Sequence, residues 1–309
     1  MPVLQPADFT SSVVAVPPIA LHPDLAVNPE ANAALVRHIT AGGVDILLYG
    51  GNANLYHYSL AAYAEALAMM QAVRGTARVI TSIGPDYGKM LDQAPLVERS
   101  GIRDVMLLPV AFPSDSHGVG DGVRRIADRL GFGVILYLKR EMYLRPEALA
   151  RLVADGAVRF VKYAVERPDP ASDPYLDAVL AAIGRDLVAS GMGETPIADH
   201  IGRRGLATFT SGAVCIAPAA AMALLALYRA GRQAEGDAAS QPFLAFERLR
   251  AQLGGTSVLH SGVTAAGIAD MGPLMPMLSV VKERNMEPVR AAVAGLQAAE
   301  AKARARRAA

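Results

Sequence analysis

The sequence predicts a (β/α)8 barrel followed by a C-terminal helical extension. Eight short, almost uninterrupted apolar runs recur about 20 to 35 residues apart, and segments with helical spacing lie between them. After Tyr228 the strand signal stops and only helical patterning continues. Near-continuous apolar runs suit parallel strands covered on both faces, whereas strands of a sandwich would alternate.

The runs lie at residues 13–16, 46–49, 79–81, 105–109, 134–137, 160–162, 187–189 and 207–210. Helical spacing marks 32–41, where Leu35, Val36 and Ile39 share a face, and 60–73, which is rich in alanine and leucine. The same spacing returns at 90–100, 119–130 and 146–154. Pro146 and Pro174 stand where helices can begin, because the fixed φ of proline suits a first turn that needs no N–H. Gly118, Gly120 and Gly122 lack dinucleotide-binding spacing and read as the loop entering the fourth helix. From 234 to 296 the pattern is helical, with breaks at Gly254-Gly255 and around Gly272-Pro273. The arginine- and alanine-rich stretch 301–307 reads as a solvated helix end. The expected division is a catalytic barrel over 1–230 and a helical region over 231–309.

Composition narrows the function. A hydrophobic fraction of 52% and a charged fraction of 19% provide for a large core and exclude a disordered polyelectrolyte. With 30 basic and 29 acidic side chains, the net charge of +1 gives no long-range field for nucleic acid or an anionic membrane. The stretch 205–228 carries no charge, but Gly205, Thr208, Ser211, Gly212 and Pro218 within it point to a buried strand running into a buried helix rather than a membrane span. The single cysteine, Cys215, fits a reducing cytoplasm, and the N-terminus shows no signal-peptide pattern. His22, His38, His57, His117, His200 and His260 have no metal-ligand spacing, so no metal site is expected.

In such a barrel the chemistry sits at the C-terminal ends of the strands. The sixth run ends in Lys162, a lysine inside an otherwise apolar strand. Partial desolvation there favours the neutral amine and makes it a nucleophile; the alternative is an ammonium paired with Glu166 or reaching solvent. The fifth run ends in Tyr137, whose phenol could carry protons on the adjacent strand or simply pack at the rim. After the second run, Gly50-Gly51-Asn52-Ala53-Asn54 can expose successive backbone N–H groups to a carboxylate, or mark only a tight turn. His57 follows this loop, as pocket lining or as loop packing. Ser114-Asp115-Ser116-His117 resembles a hydrolytic set only in composition and reads as a rim loop. Lys139, Arg140 and Arg145 are candidates for a distal carboxylate or for a solvated loop. Ser190-Gly191-Met192-Gly193 offers an anion site to a phosphate-handling barrel enzyme, a separate reading.

The glycine turn after the second strand, Leu136-Tyr137 ending the fifth, Val161-Lys162 ending the sixth and the glycine-led stretch Gly205 to Gly212 resemble the dihydrodipicolinate synthase/N-acetylneuraminate lyase family. The resemblance extends over nearly the whole chain. It implies a metal- and cofactor-independent class I lyase or aldolase in which Lys162 forms a Schiff base with pyruvate or a related 2-oxo acid and Tyr137 shuttles the proton. It also implies that Gly51, Asn52 and Ala53 hold the carboxylate, that the Ala207 carbonyl faces the lysine, and that the chain assembles as a homotetramer, a dimer of dimers. An aldehyde is a possible second substrate.

Departures from the family pattern shape the expectation. The usual paired hydroxyl residues after the second strand are replaced by Asn52 and Ala53, and Leu108-Pro109-Val110-Ala111-Phe112 has no tyrosine. Met142 stands where the synthase has an arginine. The lysine-pathway synthase is therefore disfavoured against another 2-oxo-acid lyase, a dehydratase of a 2-keto-3-deoxy sugar acid on the same lysine, or a non-catalytic 2-oxo-acid-binding barrel.

Overall fold

A computed structural model describes residues 3–308. A short helix α1 (Pro6–Phe9) precedes strand β1 (Val14–Ala15), and α2 (Pro29–Ala41) leads to β2 (Ile46–Leu48). Then follow α3 (Leu60–Val73), β3 (Arg78–Ile83), α4 (Tyr87–Ser100) and β4 (Asp104–Leu107). The next units are α5 (Ser116–Leu130), β5 (Val134–Leu138), α6 (Pro146–Ala154), β6 (Val158–Tyr163), α7 (Pro174–Ile183) and β7 (Val188–Ser190). A π-helical turn, Ala198–Arg203, connects β7 to β8 (Thr208–Ser211), and α8 (Pro218–Arg229) closes the eighth unit. All neighbouring strands pair in parallel, and β8 pairs back onto β1, so the sheet is a closed eight-stranded barrel.

Local chemistry explains several boundaries. Asn28 accepts a hydrogen bond from the Ala31 N–H and Ser59 from the Ala62 N–H, capping α2 and α3. Proline occupies the first turn of α2, α6, α7 and α8. The glycine-rich stretch 118–122 lies inside α5 instead of forming the loop before it. Asp115 supplies the reason: its carboxylate accepts from the N–H groups of both His117 and Gly118 and starts the helix three residues earlier than the apolar spacing suggests. The same Asp115 cap, with the His117 side chain at the surface, removes any resemblance to a hydrolytic triad.

The uncharged stretch 205–228 contributes β8 and α8, and among the described residues no helix is long and apolar enough to cross a membrane. Beyond α8 come α9 (Gln233–Leu253), α10 (Gly255–Ala265) and α11 (Met286–Ala308). The break read at Gly272-Pro273 is wider than the sequence suggests, with no α-helix between Ala265 and Met286. That stretch is anchored on the barrel rim, where the Leu21 N–H donates to the Met271 carbonyl. The arginine-rich end continues α11: Arg304 pairs with the buried Glu300, which also accepts from the Ala220 N–H in the first turn of α8.

The strand pleat sorts residues into inward and outward faces, and position along the strand decides which end of the barrel an inward residue meets. Phe160 and Lys162 are two apart on β6 and so face the same side, the barrel interior. Phe160 stacks on Phe9 with ring centroids 3.7 Å apart, so α1 plugs the N-terminal end. Arg159 tightens the same end by bonding Asp104 and the Leu4 carbonyl. Lys162 faces the other end, which is open.

Candidate active site

A cavity of about 760 Å³ opens at the C-terminal ends of the strands. Lys162 and Tyr137 both line it. They are register partners on neighbouring strands, and the Lys162 Nζ lies 4.5 Å from the centroid of the Tyr137 ring. Lys162 is only 6% exposed and makes no ion pair with Glu166 or any other described residue. Burial pushes its amine down to about 7, and the positive charges of Lys139 and Arg250 push in the same direction. The Tyr137 ring face would favour an ammonium, but such contacts are worth about 0.5–2 kcal/mol and burial outweighs them. Burial also raises the Tyr137 phenol above its usual range, so it is a protonated donor at neutral pH. Its hydroxyl has no hydrogen-bond partner among the described residues and remains available to a bound molecule.

Close approach explains one glycine here. A Cβ on Gly191, just after β7, would sit 3.0 Å from Cγ of Lys162 and 2.7 Å from the Tyr163 carbonyl oxygen. Only a residue without a side chain lets the lysine stem pass. The Gly191 N–H donates to that Tyr163 carbonyl and the Gly193 N–H to the Thr210 carbonyl, so these two amides serve the barrel. That weakens the phosphate reading of 190–193.

The loop after β2 is a turn closed by the Asn54 N–H donating to the Gly51 carbonyl, with Asn54 in the left-handed region at φ 58°. Gly51, Asn52 and Asn54 line the cavity. The N–H groups of Gly51, Asn52 and Ala53 make no hydrogen bond to described residues, which leaves three successive donors uncommitted. The Asn52 side chain is committed: Nδ2 donates to the Val16 carbonyl and Oδ1 accepts from Arg250. The side-chain donor expected of Asn52 is therefore already used, stapling the loop to β1. Ala53 is buried and its side chain does not line the cavity, so its amide is all it can offer.

Ala207 is placed differently from the expectation. Its N–H donates to the Val188 carbonyl, and its carbonyl accepts from Arg229, whose other nitrogen bonds the Thr10 carbonyl near the plugged end. The Ala207 carbonyl therefore serves the N-terminal rim and does not face the lysine. The β8 residues at the cavity are Thr210 and the following Gly212.

Of the three basic residues after β5, only Lys139 lines the cavity; Arg140 bonds Ser114 and lies over the Tyr143 ring. His57 is exposed at the cavity rim. Several site residues carried no sequence signal. Tyr56 lines the cavity and is felt electrostatically by Tyr137. Glu247 and Arg250 come from α9, which crosses the barrel mouth. Glu194, between the cavity-lining Gly193 and Thr195, does not itself line the cavity: it is 1% exposed, its Oε1 accepts from Ser211, and its Oε2 has no partner among the described residues. Burial, helped by the nearby Glu247 charge, raises its carboxyl to about 8, so Glu194 is neutral at pH 7.

Glu194 yields a stability prediction. Its folded pKa lies above the unfolded value, so its contribution is full below about 4.5 and is lost as pH rises through about 8. Glu194→Gln mimics the neutral acid at every pH. Thermal unfolding should show the variant stabilised relative to the parent by more at about pH 9 than at about pH 5, reaching on the order of 1–3 kcal/mol. An equal difference at both pH values would mean that the carboxyl is not held neutral.

No family model matches the chain. Among solved structures it is similar to dihydrodipicolinate synthase from Bacillus clausii, at TM-score 0.80 and 20% identity, covering 94% of this chain and 98% of that one. It is equally similar to the sialic acid aldolase of Ruminococcus gnavus, at TM-score 0.80 and 16% identity, covering 95% and 99%. At these identities the likeness is one of fold. In sequence the chain is 25% identical over 235 residues to a protein of Rhizobium meliloti (strain 1021) described as a probable 5-dehydro-4-deoxyglucarate dehydratase, covering 74% of this chain and 76% of that protein. The chain thus shares its barrel fold with dihydrodipicolinate synthases and sialic acid aldolases, and in sequence it is similar to probable 5-dehydro-4-deoxyglucarate dehydratases. In this chain, α9 from the C-terminal helical region supplies charged groups to the cavity wall beside a β2 loop that carries Asn52 and Ala53.

Proposed function

We propose that this chain is a Schiff-base lyase acting on a 2-oxo acid, with Lys162 as nucleophile and Tyr137 as proton carrier. One observation carries the reading: a buried, unpaired lysine, whose amine burial pushes down to about 7, lies against a phenol with a free hydroxyl in an open cavity.

The amine attacks the C2 carbonyl of the oxo acid, and the carbonyl oxygen leaves as water. The resulting iminium is an electron sink. Loss of a C3 proton gives an enamine, which expels a C4 hydroxyl as a second water when Tyr137 or solvent supplies the proton. Hydrolysis of the imine then returns the amine. In the aldolase variant the C4 hydroxyl loses its proton instead, and the C3–C4 bond breaks with its electrons flowing to the same iminium. The substrate carboxylate lies against the free amides of Gly51, Asn52 and Ala53.

Between these outcomes, the sequence relatives described as probable 5-dehydro-4-deoxyglucarate dehydratases favour dehydration of a 2-keto-3-deoxy sugar acid. A panel of such acids, with one and with two carboxylates, separates the readings by product mass. Loss of one water, with or without carbon dioxide, indicates a dehydratase; release of pyruvate and an aldehyde indicates an aldolase. Binding without product from any member of the panel would leave the chain a 2-oxo-acid-binding barrel and overturn the enzymatic reading.

A further inference from the structure

The proposed carboxylate seat has a neighbour with unused donors. Arg250 reaches the cavity from α9, far in sequence from the β2 loop. Each of its three nitrogens holds a protein acceptor: Nη1 bonds Glu247 Oε1 at 2.7 Å, Nη2 bonds Asn52 Oδ1 at 3.2 Å, and Nε bonds the Gly255 carbonyl at 3.1 Å. A guanidinium has five N–H donors, so one on each Nη remains without a protein partner. The side chain is 14% exposed. A Cβ on Gly212, at the end of β8, would lie 3.3 Å from the guanidinium carbon and 3.1 Å from Asn52 Nδ2, so that glycine gives both groups their room.

We propose that Arg250 is a substrate-binding residue that completes the seat for the C1 carboxylate of the 2-oxo acid, giving its two free N–H groups beside the amides of the Gly51–Ala53 turn. This rests on the Schiff-base reading above. Three fixed acceptors preorganise the fork, so little side-chain freedom is lost when the carboxylate arrives. Because Glu247 balances the arginine charge, the seat works through directed donors rather than through net charge. Arg250 also helps hold Lys162 uncharged. One side chain thus favours an anionic substrate and a neutral nucleophile together. It takes over the donor role that the Asn52 side chain has given up to Val16.

The test compares two ketones in borohydride trapping, read by intact mass: pyruvate, and acetone, which has no carboxylate. In the parent protein both should add to Lys162, pyruvate at far lower concentration. Arg250→Gln should raise the half-saturating pyruvate concentration by about 10- to 100-fold. Acetone trapping, which feels only the small loss of neutral Lys162 when the Arg250 charge is removed, should fall by no more than about 2- to 3-fold at about pH 8. Arg250→Lys, which keeps the charge but not the fork, should fall between. Acetone trapping in each variant reports that the lysine pocket is intact. If Arg250→Gln traps pyruvate like the parent, the role of Arg250 is wrong while the Schiff-base reading stands. If it loses both ketones equally, the arginine is structural and the proposal is overturned. Absence of any adduct in the parent would refute the Schiff-base reading itself, and with it this proposal.

Discussion

Lys162→Ala is expected to abolish the borohydride-trapped adduct and to lower turnover of any accepted 2-oxo acid by on the order of 10⁴-fold or more, since no other group near the cavity floor can form the iminium. Lys139 also lines the cavity, but it follows β5 on the exposed rim and would have to lean inward to substitute. A stability measurement on Lys162→Met separates loss of chemistry from loss of fold. The folded pKa of Lys162, about 7, lies below the unfolded 10.5, so the unfolded chain binds more protons between these values. The associated stability is full above about 10.5 and is lost as pH falls through about 7. Replacing the amine by an isosteric apolar side chain removes that cost, and the gain should be largest at and below neutral pH. An increase on the order of 2–4 kcal/mol at pH 7 follows, with a higher unfolding midpoint. A variant that is inactive and more stable is the signature of an amine kept in its pocket for chemistry.

Tyr137→Phe carries the second large effect, and its pattern differs. The ring that packs against Lys162 remains, so pyruvate should still be trapped. Without the hydroxyl, the proton steps lose their positioned carrier, and kcat should fall about 10²- to 10⁴-fold. The phenol has no partner among the described residues, so its removal orphans no other buried group and folding should be nearly unaffected. Equal loss of trapping and turnover would instead assign Tyr137 to forming the pocket. Steady-state kinetics beside trapping yields distinguish the two.

The barrel was legible because its strands are apolar runs and its helices start at prolines and capping residues, signals that act within a few positions. Lys162 and Tyr137 were legible because each interrupts such a run at the end of a strand. The glycine turn after β2 was legible as a turn, but not the commitment of the Asn52 side chain, which depends on Val16 and Arg250 arriving from elsewhere. Ala207 was misplaced because its role came from the resemblance alone, whereas the residue stands just before β8, at the strand end away from the cavity, where Arg229 holds its carbonyl together with that of Thr10. Glu194 was invisible because its burial and its Ser211 partner depend on β8 packing beside the loop after β7, and Glu247 and Arg250 for a related reason. A helix whose charged residues cover a barrel mouth looks, in one dimension, like any solvated amphipathic helix. Local rules find the scaffold and the residues that break it, whereas the walls of the cavity come from contacts between distant segments.

The Schiff-base reading requires a Lys162 amine that is substantially neutral at physiological pH and captures a ketone. Pyruvate and borohydride trapping across a pH series, with peptide mapping of the adduct, tests it most directly. The expected result is one adduct, on Lys162, with a rate of formation that rises to half its maximum near pH 7. An adduct on Lys89, Lys139, Lys282 or Lys302 instead, or one that forms only near pH 10 as for an ordinary exposed lysine, would contradict it.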